Sequence, residues 1–145
     1  MMKLIDIEVM VHEDTKPDDN LDYESVRTPQ LHNKYLKLYN AECGLLRKLN
    51  LDYKKLYRVM WEYYSGRISQ EDMKLHGLEP FQLKILKGDL NIYLDADEDL
   101  SLMKERVEFQ KQKCKYIEDV LKEICRRSFT IKNAIAYKQF INGVV

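Results

Sequence analysis

From residue 30 to residue 64 no proline interrupts the chain, and positions spaced alternately by four and three read Leu31, Tyr35, Leu38, Glu42, Leu45, Leu49, Asp52, Leu56, Val59 and Tyr63. Eight of these ten are apolar. A seam of that period, held over about five heptads, predicts a helix of about 50 Å whose apolar stripe must pack against other helices. Leu100, Met103, Val107, Gln110, Cys114, Ile117, Leu121 and Ile124 repeat the spacing near the carboxyl end. With 5 Gly and 3 Pro among 145 residues and 33% charged residues, the chain is poor in turn-formers and suits long amphipathic helices better than sheets. The expected fold class is all-α, in a single domain.

The other segments are shorter. Ile5, Ile7, Val9 and Val11, with Asp6 and Glu8 between them, alternate with period two and predict a short strand or extended arm. Residues 12–20 contain Pro17 and read as a linker, and a short helix over 21–26 is expected to end near Pro29. Ser65 and Gly66 should end the long helix, and Ser69 with Asp72 should cap a short one that stops at Gly77 or before Pro80. The apolar run 90–94 is too short to type. Asp95, Asp97, Glu98 and Asp99 fail the calcium-loop spacing, which would put Leu100 in place of Gly and Arg106 in place of Glu; helix capping by Asp97 or Asp99 is expected instead. Arg126 to Ser128 are expected to interrupt the last helix, with a further helical segment over 129–141 and a stop at Gly143.

The 24 basic and 24 acidic residues cancel overall but not regionally. Residues 1–30 hold 3 Lys/Arg against 8 Asp/Glu, 31–67 hold 8 against 3, 68–103 hold 3 against 8, and 104–145 hold 10 against 5. The chain thus divides into an acidic arm and linker (1–29), a basic and aromatic helix (30–67), an acidic connection (68–98) and a heptad helix with a basic tail (99–145). No run approaches 18 uncharged apolar residues, so neither a spanning helix nor a secretory leader is expected and the protein should be soluble and intracellular. Cys43, Cys114 and Cys125 are odd in number and widely spaced, which predicts buried thiols rather than disulfides. His12, His32 and His76 have no partner spacing for zinc, and neither a GxxxxGK loop nor a motif-anchored carboxylate pair occurs. No catalysis, cofactor or metal is expected.

On a helical wheel with Tyr53 as origin, Leu45, Leu49, Leu56 and Met60 fall near 280–340°, roughly one buried stripe. Tyr53, Tyr57, Tyr64 and Trp61 flank it at about 0–80°, and Arg47, Lys54 and Arg58 follow at about 100–140°. Single-stranded nucleic acid is held by that pair of chemistries: cations for phosphates and flat faces for unstacked bases. The same pattern also suits tyrosines that fill a seam edge, with cations solvated outside. Lys104, Lys111, Lys115, Lys122 and Arg126 line one face of the last helix, with Glu118 placed to pair with Lys122. Residues 124–145 hold Arg126, Arg127, Lys132 and Lys138 and no acid, which favours an anionic partner.

Leu21-Asp22-Tyr23-Glu24, Pro29-Gln30-Leu31-His32-Asn33-Lys34-Tyr35-Leu36, Glu62-Tyr63-Tyr64-Ser65-Gly66-Arg67 and Arg127-Ser128-Phe129-Thr130-Ile131-Lys132-Asn133 follow one another in an order that resembles the UvsY family of recombination mediators from T-even-type bacteriophages. Residues 68–98 match more loosely. The resemblance implies a small helical subunit of a closed ring, a hexamer or heptamer. It also implies single-stranded DNA, a phage RecA-like recombinase and a phage single-strand-binding protein as partners, in the cytoplasm of the infected bacterial host. The family's DNA site includes basic residues just upstream of the tyrosine pair, and Arg58 keeps one of them; Met60 stands where another cation is expected, with Lys54, Lys55 or the carboxyl-terminal cations to compensate. The candidate DNA-binding residues are Arg47, Lys54, Lys55, Tyr57, Arg58, Trp61, Tyr64, Arg67, Arg126, Arg127 and Lys132. Assembly is expected to use the seam of Leu100, Val107, Cys114, Ile117, Leu121 and Ile124. A coiled-coil adaptor that only bridges proteins shares the heptads and is the alternative.

Overall fold

The two heptad seams become two helices of 44 residues each, Leu21–Tyr64 (α2) and Glu98–Ile141 (α5). The computed structural model describes residues 1–143. Leu4–Thr15 (α1), Gln70–Leu75 (α3) and Leu90–Ala96 (α4) complete an all-α chain, with no strand among the described residues. Its contacts separate into two compact units, which cut across the charge blocks: Met1–Cys43 with the stretch from Gln112 onward, and Gly44–Lys111.

In the first unit the opening half of α2 runs antiparallel to the closing half of α5, as the pairs Glu24 with Arg127 and Glu42 with Lys113 require. Leu31, Tyr35, Val120, Leu121 and Ile124 form its core, and Met10 and Val11 of α1 pack against them. The amino-terminal segment is thus a helix and not a strand. Its alternating residues Ile5 and Val9 are 60% and 52% exposed, whereas Ile7 is fully buried. Ile7, Met10 and Val11 share the i, i+3, i+4 spacing of a helix face, and Asp6 accepts the Lys3 backbone N–H at 3.2 Å to start the first turn. The linker shrinks to residues 16–20.

Pro29 does not end a helix; it lies inside α2. A proline there removes a backbone donor and crowds the preceding turn, a cost of about 3 kcal/mol. The carbonyl that loses its ladder donor is that of Ser25; next to it the Glu24 carbonyl accepts from Thr28 Oγ1 at 3.0 Å and from Arg127 Nη1 at 2.9 Å, so α5 holds the turn that precedes the proline. For the same reason the expected break at Arg126–Ser128 is absent. Arg127 is drawn inward onto Glu24, Ile131 one turn on is buried, and α5 runs unbroken. Past Ile141, Gly143 takes φ +69°, the expected stop.

In the second unit Met60, Leu90, Leu94 and Leu100 make the core, with Tyr53, Leu56, Trp61, Tyr63, Tyr64 and Leu78 against it. The end of α2 follows its sequence signals: Gly66 adopts φ +77°, and the N–H groups of Arg67 and Ile68 close onto the Glu62 carbonyl at 2.8 and 3.1 Å. Ser69 caps α3 through the Asp72 N–H at 3.2 Å, and Gly77 at φ +62° follows its end. The untyped run 90–94 is the body of α4. Asp97 caps α5, its Oδ1 accepting the Leu100 N–H at 2.8 Å.

Leu100, Val107, Cys114, Ile117, Leu121 and Ile124, expected to bind a second copy, are between 0% and 8% exposed within this one chain. The stripe is covered by the chain's own helices, so within one chain these six side chains already serve its core. Of the cysteines only Cys114 is buried; Cys43 is half-buried and Cys125 exposed, because residue 125 falls outside the α5 stripe. Burial, with the neighbouring Cys43, pushes the Cys114 thiol up to about 11.

Candidate nucleic-acid interface

The α2 stripe between Leu45 and Met60 faces the interior of the second unit, which leaves Arg47, Lys54, Lys55 and Arg58 on the outside. Arg58 lies 3.7 Å from Glu62, a long pair one turn apart with the arginine side chain 72% exposed. Arg47, Lys54 and Lys55 enter no ion pair among the described residues. Exposed cations without carboxylates are the groups that a polyanion's phosphates meet. Beside them Tyr57 is 38% exposed and Leu51 57% exposed, so the cationic face also carries apolar surface.

Trp61 is half-buried, and the Arg67 guanidinium sits 5.3 Å from its ring centroid. That distance is within cation–π range and holds the guanidinium against a flat face without neutralising it. Tyr64 is placed differently from the expectation that it meets bases. Its ring is packed edge-on to Tyr63 and Phe81, with Tyr93 5.9 Å away, and its hydroxyl donates to Asp97 Oδ2 at 2.7 Å. Burial, then the Asp97 hydrogen bond and charge, pushes this phenol above its usual range. Tyr64 thus ties the end of α2 to the residue that caps α5.

The α5 cations from Lys113 onward belong to the first unit, and most of them are spent within it. Lys115 and Lys122 both pair with Glu118 and Asp119, and Arg126 pairs with Glu123 at 2.9 Å. Arg127, expected to bind DNA, is 8% exposed and bonded to Glu24. The absence of acids beyond Glu123 misled because the compensating carboxylate comes from α2, 103 residues away. Lys132 stays exposed and Lys138 reaches the Asp19 carbonyl at 3.3 Å. Sequence reasoning missed Lys87, which lines the same nook as Trp61 and Arg67. Its signal was masked by the net negative charge of residues 68–103.

A family model described as "Recombination, repair and ssDNA binding protein UvsY" matches residues 10–144. The chain belongs to the UvsY family. Three crystal structures of the bacteriophage T4 recombination mediator protein UvsY resemble it in fold. In lattice type IV the TM-score is 0.84 at 21% identity, over 96% of this chain and 99% of that one. Lattice type II gives 0.83 at 21% over 98% and 99%, and lattice type I gives 0.80 at 20% over 93% and 98%. No curated protein matches the chain. UvsY family membership places the chain in recombination and repair, and the all-α architecture agrees with the T4 UvsY structures. No helix among the described residues is long and apolar enough to cross a membrane.

Proposed function

We propose that this chain is a recombination mediator without enzymatic activity. It binds single-stranded DNA and helps load a RecA-like phage recombinase onto DNA covered by single-strand-binding protein, in the cytoplasm of the infected host. The observation that carries the reading is the exposed side of α2, where Arg47, Lys54 and Lys55 lack carboxylate partners among the described residues on the same helix as the exposed Tyr57 and the half-buried Trp61. Lys115, Lys122 and Arg126 of α5, held in ladders of helix pairs, supply the contrast. A ring of copies, hexameric or heptameric, repeats this modest site so that one strand engages several at once and gains through effective concentration. With the α5 seam buried, Phe129, Tyr137, Phe140 and Ile141, all at least 61% exposed, are the most exposed large apolar groups that helix offers for such assembly.

Titrating a fluorescent oligonucleotide at several salt concentrations tests the reading. Log K should fall steeply with log salt, and single strands should be preferred over duplex. Weak, salt-independent or duplex-preferring binding would instead favour a protein-bridging adaptor whose charges serve solubility.

A further inference from the structure

The loop of residues 76–89, between α3 and α4, is attached to the end of α2: Tyr63 donates its hydroxyl to the Glu79 carbonyl at 2.6 Å, and Phe81 packs on Tyr63 and Tyr64 at 5.6 and 5.2 Å. So anchored, the loop brings Ile85 and Lys87 to Trp61, Ser65 and Arg67, and with Leu90 they line a nook of about 110 Å³. Pockets that enclose whole small molecules run from about 300 Å³ upward, so this one seats a single chemical group. Arg67 and Lys87 both border it, both are exposed, and neither enters an ion pair among the described residues. The Arg67 guanidinium lies 5.3 Å from the Trp61 ring centroid, and its backbone N–H is fixed to the Glu62 carbonyl at 2.8 Å. One cation set on an indole and a second, exposed cation, around a space of one group, call for an anion that carries a flat neighbour.

We infer that this nook is a phosphate seat, in which Arg67 and Lys87 grip one backbone phosphate of a single strand while an adjacent base stacks on Trp61. The inference rests on the DNA-binding reading above and adds to it Lys87 and the 76–89 loop. In a duplex the bases are stacked inside and none is offered to the indole; an acidic peptide has the charge but no flat group.

Trp61 is the sole tryptophan, so its emission reports on the seat directly. Titration with oligothymidylate should quench it saturably in the intact protein. Lys87→Gln should weaken binding several-fold and flatten the salt dependence by about 0.7 per subunit engaged, the increment for one phosphate contact on a single strand. Lys87→Arg should restore both, and Lys74→Gln, on α3 away from the nook, should alter neither. If Lys87→Gln binds oligothymidylate with the affinity and salt slope of the parent, the seat is overturned while the DNA-binding reading stands. If the parent itself binds no oligothymidylate, both fail, and quenching by polyglutamate alone would reassign the cations to an acidic protein partner.

Discussion

Lys113 points into the interior from α5 with its ammonium 3.1 Å from the Glu42 carboxylate, the two side chains only 1% and 8% exposed. In sequence, Glu42 is an interruption of the α2 seam; in the structure it is met by a buried cation. Charges taken out of water depend on each other more than exposed pairs do. Lys113→Met should therefore cost about 3–5 kcal/mol, by leaving the carboxylate without its cation, whereas Lys113→Met with Glu42→Leu should be near neutral or stabilising. Urea denaturation followed by circular dichroism measures both, and a single variant as stable as the parent would refute the pairing.

Acid should unfold the first unit through Glu24 and Asp14. Burial pushes the Glu24 carboxyl up, but hydrogen bonds and charge from Arg127 and Arg27 outweigh it and hold the group below the ordinary range. Asp14 is held down likewise, against burial, by Lys34, Tyr35 and Arg27. Both carboxyls have folded values below their unfolded values of about 4, so their contribution is fully present above that pH and is lost as pH falls through the folded values. The melting temperature should be level from about pH 7 to 5 and drop below about pH 4. Glu24→Gln should melt lower at neutral pH and show a shallower acid limb; an unchanged limb would exclude Glu24 as a source.

Ile117→Asp should unfold the subunit rather than dissociate an assembly, since the side chain is fully buried within one chain. A buried unpaired carboxylate in place of a core methyl group costs well over about 3 kcal/mol. Phe140 is 81% exposed, so Phe140→Asp should leave the helical signal intact while sedimentation shows smaller species. A folded, dissociated Ile117→Asp protein would return the interface to the seam.

Two aromatics three residues apart on α2 should separate stability from binding. Tyr64→Phe removes only the hydroxyl that donates to Asp97, and should lower stability by about 1–2 kcal/mol with DNA affinity per folded molecule unchanged. Trp61→Leu keeps apolar bulk and removes a stacking face worth roughly 1–3 kcal/mol per base, so affinity should fall with the fold retained. Equal loss of affinity in both variants would mean that Tyr64 meets the strand after all.

The parts of the fold legible in sequence are those whose cause lies within a few residues. Gly66, Ser69 with Asp72, and Asp97 signal their caps locally, and each does so in the structure. Pro29 was misleading because the turn before it is held by Arg127, from the far end of the chain. The first helix was misread because Ile5, Ile7, Val9 and Val11 satisfy a period of two while Ile7, Met10 and Val11 satisfy a helix, and only packing on the first-unit core selects between them. A heptad seam states that a stripe must be covered but not whether the cover is a second copy or the same chain. Among candidate DNA contacts, exposure of Arg47, Lys54 and Arg58 followed from the wheel. The burial of Arg127 and the arrival of Lys87 beside Trp61 are tertiary, and neither block charges nor heptads encode them.

Glu24 and Arg127 are separated by 103 residues, and a ribosome adding roughly 5–20 residues per second leaves the first waiting roughly 5–20 s for the second. During that interval Leu31 and Tyr35 have emerged without the α5 side chains that cover them, whereas residues 44–111 find their partners within one continuous stretch. The nascent chain therefore presents an order of assembly opposite to its order of synthesis: the middle closes first, and the amino end stays open until the last helix is released.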